Sequence, residues 1–398
     1  MKIAALAVLT GALLACSSAQ ASARPKWTLA QARTALTNQD FLVTDVGQPD
    51  RPDYDLAFSR RSAKSLSRRF AFDGLAHDRL TDLDVRVRFT FVRPGRIADF
   101  HGPVADTSQP SFPIRASFYY GWYPEAWFRS SVVPYSRFHP SLDYYGGSDP
   151  SVIRQQLEAM RYANLDAGIY SWWGRDGYPP TDARFWRYLA AARTTPFRWA
   201  IYYEREGYED PSVERIRAEL EYVRDEYASK PAYLEVEGRF VVFVYGGPED
   251  SCATVERWRE ANATLGAYLV LKAFGGYRDC AAQPAAWHQY SGDRAEYMLP
   301  PDAYMVAPGF EEMQEALARL PRDPERWRQS VAHMVASQVH WQLVISFNEW
   351  PEGTSVESAR EWASPSGYGA YLDVLHELVP ARSQAVAAAT SRPSSIPR

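Results

Sequence analysis

A chain of 398 residues, 46% hydrophobic and 14% aromatic, is long enough to bury one large core or two smaller ones. Its net charge of −4 supplies no electrostatic footprint for nucleic acid, which is not expected as a partner. Three cysteines and seven scattered histidines make no zinc-like spacing, and no metal or organic cofactor is expected.

The chain opens like an export signal. Lys2 precedes an apolar stretch at 3–15, and Ala19-Gln20-Ala21 and Ala21-Ser22-Ala23 are small-residue cleavage patterns, so 1–23 reads as a signal peptide. The stretch is too short to span a bilayer. Leu13-Leu14-Ala15-Cys16 is also similar to a bacterial lipobox, which makes Cys16 a candidate lipidation site. Lipoprotein and freely secreted protein both stay open. Either way the expected location is secreted or cell-envelope-anchored, with membrane contact only through a lipid anchor, and a monomer is expected. Lysine occurs only at 2, 26, 64, 230 and 272, which reads as the compositional mark of a high-GC bacterial genome. In an exported protein the remaining cysteines, Cys252 and Cys280, point to a disulfide over two unpaired thiols.

Residues 27–107 read as a small α+β unit. Thr28 and Gln31 fit a capping box opening a helix to about residue 38. A strand is expected at 41–46, and another where Val85, Val87, Phe89 and Phe91 alternate with Arg86, Arg88 and Thr90. The basic cluster Arg60, Arg61, Lys64, Arg68 and Arg69 reads as a solvated surface in preference to a site for an anionic partner. Pro103, Pro110 and Pro113 mark a linker.

From 113 to 380 short apolar runs alternate with helical patterns. Strands are expected at 114–123, 166–174, 198–204, 240–246, 267–276, 285–290, 303–310 and 343–350. Helices are expected near 149–164, 182–193, 211–228, 254–263, 311–319, 323–338 and 367–378. Eight such units argue for an α/β fold of the (β/α)8 TIM-barrel type behind the small front unit, with a doubly wound open sheet as the other solution. The fifth-to-sixth connection lacks a helical pattern. Residues 382–398 read as a disordered tail.

A barrel's chemistry sits at the carboxyl ends of its strands. Those ends carry Tyr120, Trp172, Trp173, Glu204, Tyr245, His288, Tyr290, Asn348, Glu349 and Trp350, with Glu352 just beyond. Aromatic faces and acids with almost no base suit a sugar, whose C–H face stacks on rings and whose hydroxyls bond to acids and amides. Of 13 tryptophans, all but Trp27 follow residue 113. In "SFNEWPEGT" (346–354) Glu349 and Glu352 stand three apart around Trp350-Pro351. Glycoside cleavage needs a proton donor and a second carboxylate, about 5 Å apart in retaining enzymes. The competing explanation is a helix-start turn with Pro351 at the first helical position. The aromatic bowl favours catalysis by Glu349 and Glu352.

Several segments together, "FYYGWYPE", "SWWG", "IYYE", "VAPGF" and "SFNEWPEGTSVE", resemble glycoside hydrolase family 99, retaining endo-α-mannosidases and endo-α-mannanases on a (β/α)8 barrel. The resemblance implies that Glu349 deprotonates the sugar 2-hydroxyl and that Glu352 is the acid/base. It implies that Glu204 binds substrate and that Trp172 and Trp173 contact sugar, with Tyr120, Asp149, Tyr245 and Tyr290 as looser matches. Pro351 stands where the family has histidine, and "TSVES" where it has "TQIEP". The expected partner is an oligo- or polysaccharide, of α-mannan type or related. A non-catalytic glycan-binding lipoprotein and a polysaccharide-processing or transfer protein of envelope biosynthesis are the alternatives.

Overall fold

The structure, a computed structural model, describes residues 27–44, 52–93 and 95–382. The signal region with Cys16, and the expected tail from 383 onward, lie outside the described residues.

The front unit begins with α1 (Leu29–Asn38). Its capping box forms as expected: Gln31 N donates to Thr28 Oγ1 (3.2 Å) and Thr28 N donates to Gln31 Oε1 (2.9 Å). Strands β1 (Phe41–Val43), β2 (Tyr54–Ala57), β3 (Ala71–Asp78), β4 (Leu83–Arg93) and β5 (Arg96–His101) follow in one antiparallel sheet, in chain order. On β4, Val87, Phe89 and Phe91 are buried and Arg86 and Arg88 exposed, which is the period-two pattern read in the sequence. β1 ends at Val43, short of the expected 46. Leu36, Phe41, Leu56, Phe58, Phe72 and Phe89 belong to a core distinct from that of the larger unit.

The larger unit is built from β6 (Ile114–Tyr119), α2 (Pro150–Tyr162), β7 (Ala167–Trp172), α3 (Asp182–Ala192), β8 (Arg198–Tyr203), α4 (Val213–Tyr222), β9 (Glu235–Val236), β10 (Arg239–Val244), α5 (Cys252–Ala261), β11 (Tyr268–Lys272), β12 (Ala286–His288), β13 (Glu296–Leu299), β14 (Ala303–Val306), α6 (Pro324–Ala336), β15 (Trp341–Val344) and α7 (Ala370–Leu378). The sheet order is β12-β11-β10-β8-β7-β6-β15-β14-β13. From β12 to β14 every neighbouring pair is parallel, and β13 folds back antiparallel on β14. The first and last parallel strands therefore sit side by side in mid-sheet, Trp341 opposite Ile114, which gives a barrel-like α/β sheet. Every residue of β7 and β8 is buried, as strands covered on both faces require.

Two expected elements form differently. Residues 311–319 are not helical. Phe310 and Leu320 pair through two backbone hydrogen bonds, which brings the ends of the segment together, whereas a helix over 311–319 would hold them roughly 13 Å apart. The strand expected at 343–350 is β15, which leaves the sheet after Val344. Beyond it Ser346 N donates to Thr354 O (3.0 Å) and Phe347 N to Phe118 O (2.8 Å), so the motif folds on itself above the sheet. Between β11 and β12 only a 3-10 turn, Tyr277–Asp279, appears, where no helix had been expected.

The linker packs instead of floating. Arg198 donates to Asp106 Oδ1 (3.0 Å), and Gln109 bonds Tyr233 O (2.9 Å) and Glu235 N (3.0 Å). The front unit meets the flank of the barrel-like unit through Lys230–Asp53 (3.1 Å) and through Arg193, which lies 4.0 Å over the Tyr54 ring. Arg382 ion-pairs with Asp166, which ties down the first residue of the expected tail. Cys252 and Cys280 form the expected disulfide (S–S 2.00 Å), joining the start of α5 to the β11–β12 connection.

Candidate active site

The loop after β15 carries the two motif glutamates. Ser346 anchors it: its hydroxyl accepts from Glu349 N (2.8 Å) and meets Thr354 Oγ1 (2.9 Å). Trp350 to Gly353 then forms a tight turn closed by Gly353 N to Trp350 O (3.0 Å), with Pro351 at the position where its fixed φ is favoured. No helix starts here, so the first-turn explanation for the acids falls away. Gly353 has φ +66°, and a Cβ on it would lie 2.7 Å from Glu311 O, so only glycine lets the two backbones meet.

Asn348 joins this loop to the end of β6. Its side chain accepts from Tyr120 N (2.8 Å) and donates to Tyr120 O (2.9 Å), as a neighbouring strand would. Below it, Glu357 is fully buried and accepts from Tyr145 Oη (2.7 Å), Gln156 Nε2 (2.7 Å) and Trp350 Nε1 (3.0 Å). This buried acid fixes the residue between Asn348-Glu349 and the turn.

Glu204, leaving β8, and Glu349 are 4% and 3% exposed, and Glu352 is half-buried. One oxygen of each, Glu204 Oε1, Glu349 Oε2 and Glu352 Oε2, is buried with no hydrogen-bond partner. Such groups are costly to hold and mark a place where a ligand's hydroxyls would be welcome. Burial first, then repulsion from Glu352 and Glu204, pushes the Glu349 carboxyl well above its ordinary value. Glu352 rises to about 7 through burial first, then Glu312. Glu204 rises to about 8, again mainly by burial. The motif pair therefore holds a proton near neutrality.

A continuous run of rings borders this cluster. Trp173 and Tyr208 lie 5.0 Å apart between centroids, and Tyr208 and Tyr245 5.8 Å. Tyr245 in turn meets Tyr290 edge-on (6.3 Å), Tyr290 bonds Tyr120 through their hydroxyls (2.7 Å), and Tyr120 stacks on Trp122 (4.5 Å). Lys272, ending β11, donates to Gly246 O (2.9 Å), lies 4.2 Å over the Tyr245 ring, and lowers the Glu204 carboxyl.

The family model for glycosyl hydrolase family 99 matches residues 130–273. A curated relative, the mouse glycoprotein endo-alpha-1,2-mannosidase, is 27% identical over 112 residues, 26% of this chain and 23% of its own length. The chain thus spans about a quarter of that relative. Among solved structures, the GH99 endo-alpha-mannosidase from Bacteroides thetaiotaomicron in complex with bis-tris-propane superposes with a TM-score of 0.53 at 18% identity, covering 68% of this chain and 98% of that one. A glycoside hydrolase-like protein superposes at 0.51 with 14% identity, covering 69% and 95%. The chain is glycosyl hydrolase family 99-like.

In this family-99-like chain the matched segment contains Asp149, Trp172, Trp173, Glu204 and Tyr245, while Glu349 and Glu352 lie beyond it. The structure brings Glu204, Glu349, Glu352, Tyr120, Trp173, Tyr245 and Tyr290 together. Five other expected contacts are corrected. Trp172 has no exposed surface, and its indole donates to Asp182 Oδ1 (3.0 Å). Trp350 is also wholly buried, against Trp362 and Glu357. His288 is buried with Nε2 on Tyr202 Oη (3.1 Å). Asn348 spends its amide on Tyr120 and Tyr145. Asp149 is exposed and caps α2, accepting from Ser151 N (2.9 Å). The first four pack behind the site, while Asp149 serves only the start of α2. Missed in the sequence were Lys272, Tyr208 and Glu357; Lys272 had a legible signal, a lone lysine closing an apolar run.

Proposed function

We propose that the protein is an endo-acting, retaining glycoside hydrolase that cleaves α-mannan-type or related glycans with Glu349 and Glu352. The observation that carries this reading is the trio of carboxylates, each with a buried, unpartnered oxygen, beside a run of aromatic rings at the carboxyl ends of a barrel-like sheet. The same reading takes that sheet as a (β/α)8 barrel and the N-terminal stretch as an export signal, placing the enzyme outside the cytoplasm.

In the proposed reaction Glu349 takes the proton of the sugar 2-hydroxyl as O2 attacks C1. The bond from C1 to the leaving oxygen breaks, and Glu352 gives that oxygen its proton. Water then attacks C1 of the 1,2-anhydro sugar and passes a proton to Glu352, while Glu349 returns its proton to O2. Two inversions at C1 leave the configuration retained. Deeper burial favours the pair's proton on Glu349 in the free protein, whereas the reaction needs it on Glu352. A 2-hydroxyl donating to Glu349 stabilises that carboxylate and drives the transfer. Glu204 and Lys272 would hold further hydroxyls, with sugar faces on Trp173 and Tyr245.

Release of reducing ends from an α-mannan panel tests this, with Glu349→Gln and Glu352→Gln each expected to lose at least about a thousandfold in rate. Unchanged turnover in both variants would sink the assignment, and binding without product from any glycan would favour the non-catalytic alternative. Size of the first products separates endo from exo cleavage.

A further inference from the structure

The front unit holds a second concave surface, remote in sequence from the acids. β2 pairs with β3 only through Asp78 and His77, so among the described residues the β2-facing edge of β3 before His77 has no strand beside it. The chain through the turn Ser62–Ser65 arches there instead. Gly74 permits the approach, since even a Cβ at that position would lie 3.3 Å from Ser65 Oγ. The arch and β3 enclose an open cavity of about 670 Å³ bordered by Ser59, Arg61, Ser62, Ser65, Leu75 and His77. Asp84, also on its border, is held by His77 (3.3 Å).

The arch is strongly basic. Arg60, Arg61, Lys64, Arg68 and Arg69 are all exposed, and no carboxylate occurs between Leu56 and Phe72. Among the described residues no ion pair engages any of the five. Ordinary solvated faces intersperse both signs. Here one sign is concentrated on the segment that lines a cavity, with Arg61 on the border itself, in a chain whose net charge is −4.

We propose that this cavity and the basic segment that lines it bind an anionic polysaccharide. Guanidinium groups on that segment suit carboxylate or sulfate substituents, which they can grip through paired hydrogen bonds. Ser59, Ser62 and Ser65 offer hydroxyls for sugar hydroxyls, and Leu75, 55% exposed, offers an apolar floor for a ring's C–H face. A lipid surface is flat and would leave the cavity unfilled. Single-stranded nucleic acid wants open rings for its bases, and the rings here, Phe58 and Phe72, are buried. The choice of a saccharide rests on the glycan reading of the larger unit; the anionic character rests on the front unit alone. Such a site would hold the enzyme on charged polymer while the larger unit works on its own substrate.

Affinity electrophoresis of the full chain in gels containing polygalacturonate tests the proposal, with phosphatidylglycerol vesicle sedimentation in parallel. Retardation is expected, weakening with added salt. The triple variant Arg61→Ser/Lys64→Ser/Arg68→Ser should bind about tenfold more weakly. Leu75→Ala, which leaves the charge unchanged, should lose about threefold. No retardation, retardation indifferent to the triple variant or to Leu75→Ala, or sedimentation with vesicles alone would each overturn it. Retardation does not depend on turnover, so an inactive catalytic unit and a failed front site give different results.

Discussion

Single atoms decide much of this site. Gly353 sits at φ +66° with Glu311 O where its Cβ would be, so Gly353→Ala should cost about 1–3 kcal/mol and move Glu352. Chemical denaturation reads the first effect and glycan turnover the second; a variant of full stability and activity would refute the backbone argument. Glu357 is comparable among side chains. Glu357→Ala would strand the donors of Tyr145, Gln156 and Trp350, and a loss of about 2–4 kcal/mol in unfolding free energy is expected. At this scale the sequence was partly legible. The two motif acids stood out because their spacing survives in the chain itself. Glu357, only eight residues past Glu349, did not, because its partners come from α2 and the loop before it.

At the scale of elements, alternation and capping carried most of the reading. Period-two burial on β4, the Thr28–Gln31 box and seven of eight expected helices agree with the structure, since each depends on neighbours within a few residues. The helix expected at 311–319 failed because the backbone pairing of Phe310 with Leu320 draws the two ends of the segment together. Where the β11–β12 connection lacks a helix, the disulfide supplies a covalent tie across 28 residues. Cys252→Ser/Cys280→Ser should lower the unfolding free energy by about 3 kcal/mol, the entropy of reopening a loop of that size. Denaturation with and without reductant checks it: equal midpoints for the native protein in both would mean that the tie contributes nothing.

Over the whole molecule, the cost of the acid cluster appears as pH dependence. Glu352 and Glu204 titrate at about 7 and about 8 in the folded chain, against an ordinary 4.5. Between those values the folded state holds protons that the unfolded chain has released, so unfolding free energy should fall as pH rises from about 4.5 to 8. Glu204→Gln should flatten that slope, by roughly 1 kcal/mol or more across the window. Denaturation at pH 5 and pH 8 for both proteins checks the sign. The proposed reaction needs the pair to carry one proton and not two, so kcat/KM should rise as pH climbs through about 7, where the first of the pair's protons leaves. A rate that falls steadily from pH 5 to pH 8 would place the acid and base elsewhere.

Most strands and helices of the larger unit, the spacing of the acid pair and the gathering of rings and acids at strand ends were legible in the chain alone. Each rests on local periodicity or on residue chemistry at short spacing. Only the tertiary structure decided which aromatic residues face a ligand. Trp172 and Trp173 are adjacent in sequence, yet one is spent on Asp182 in the wall and the other faces Tyr208 at the mouth. The same is true of Lys272, which becomes the cation of an acidic site only when β11 is laid beside β10. Burial and charge partners are properties of contacts between distant segments, and no spacing in the chain encodes them.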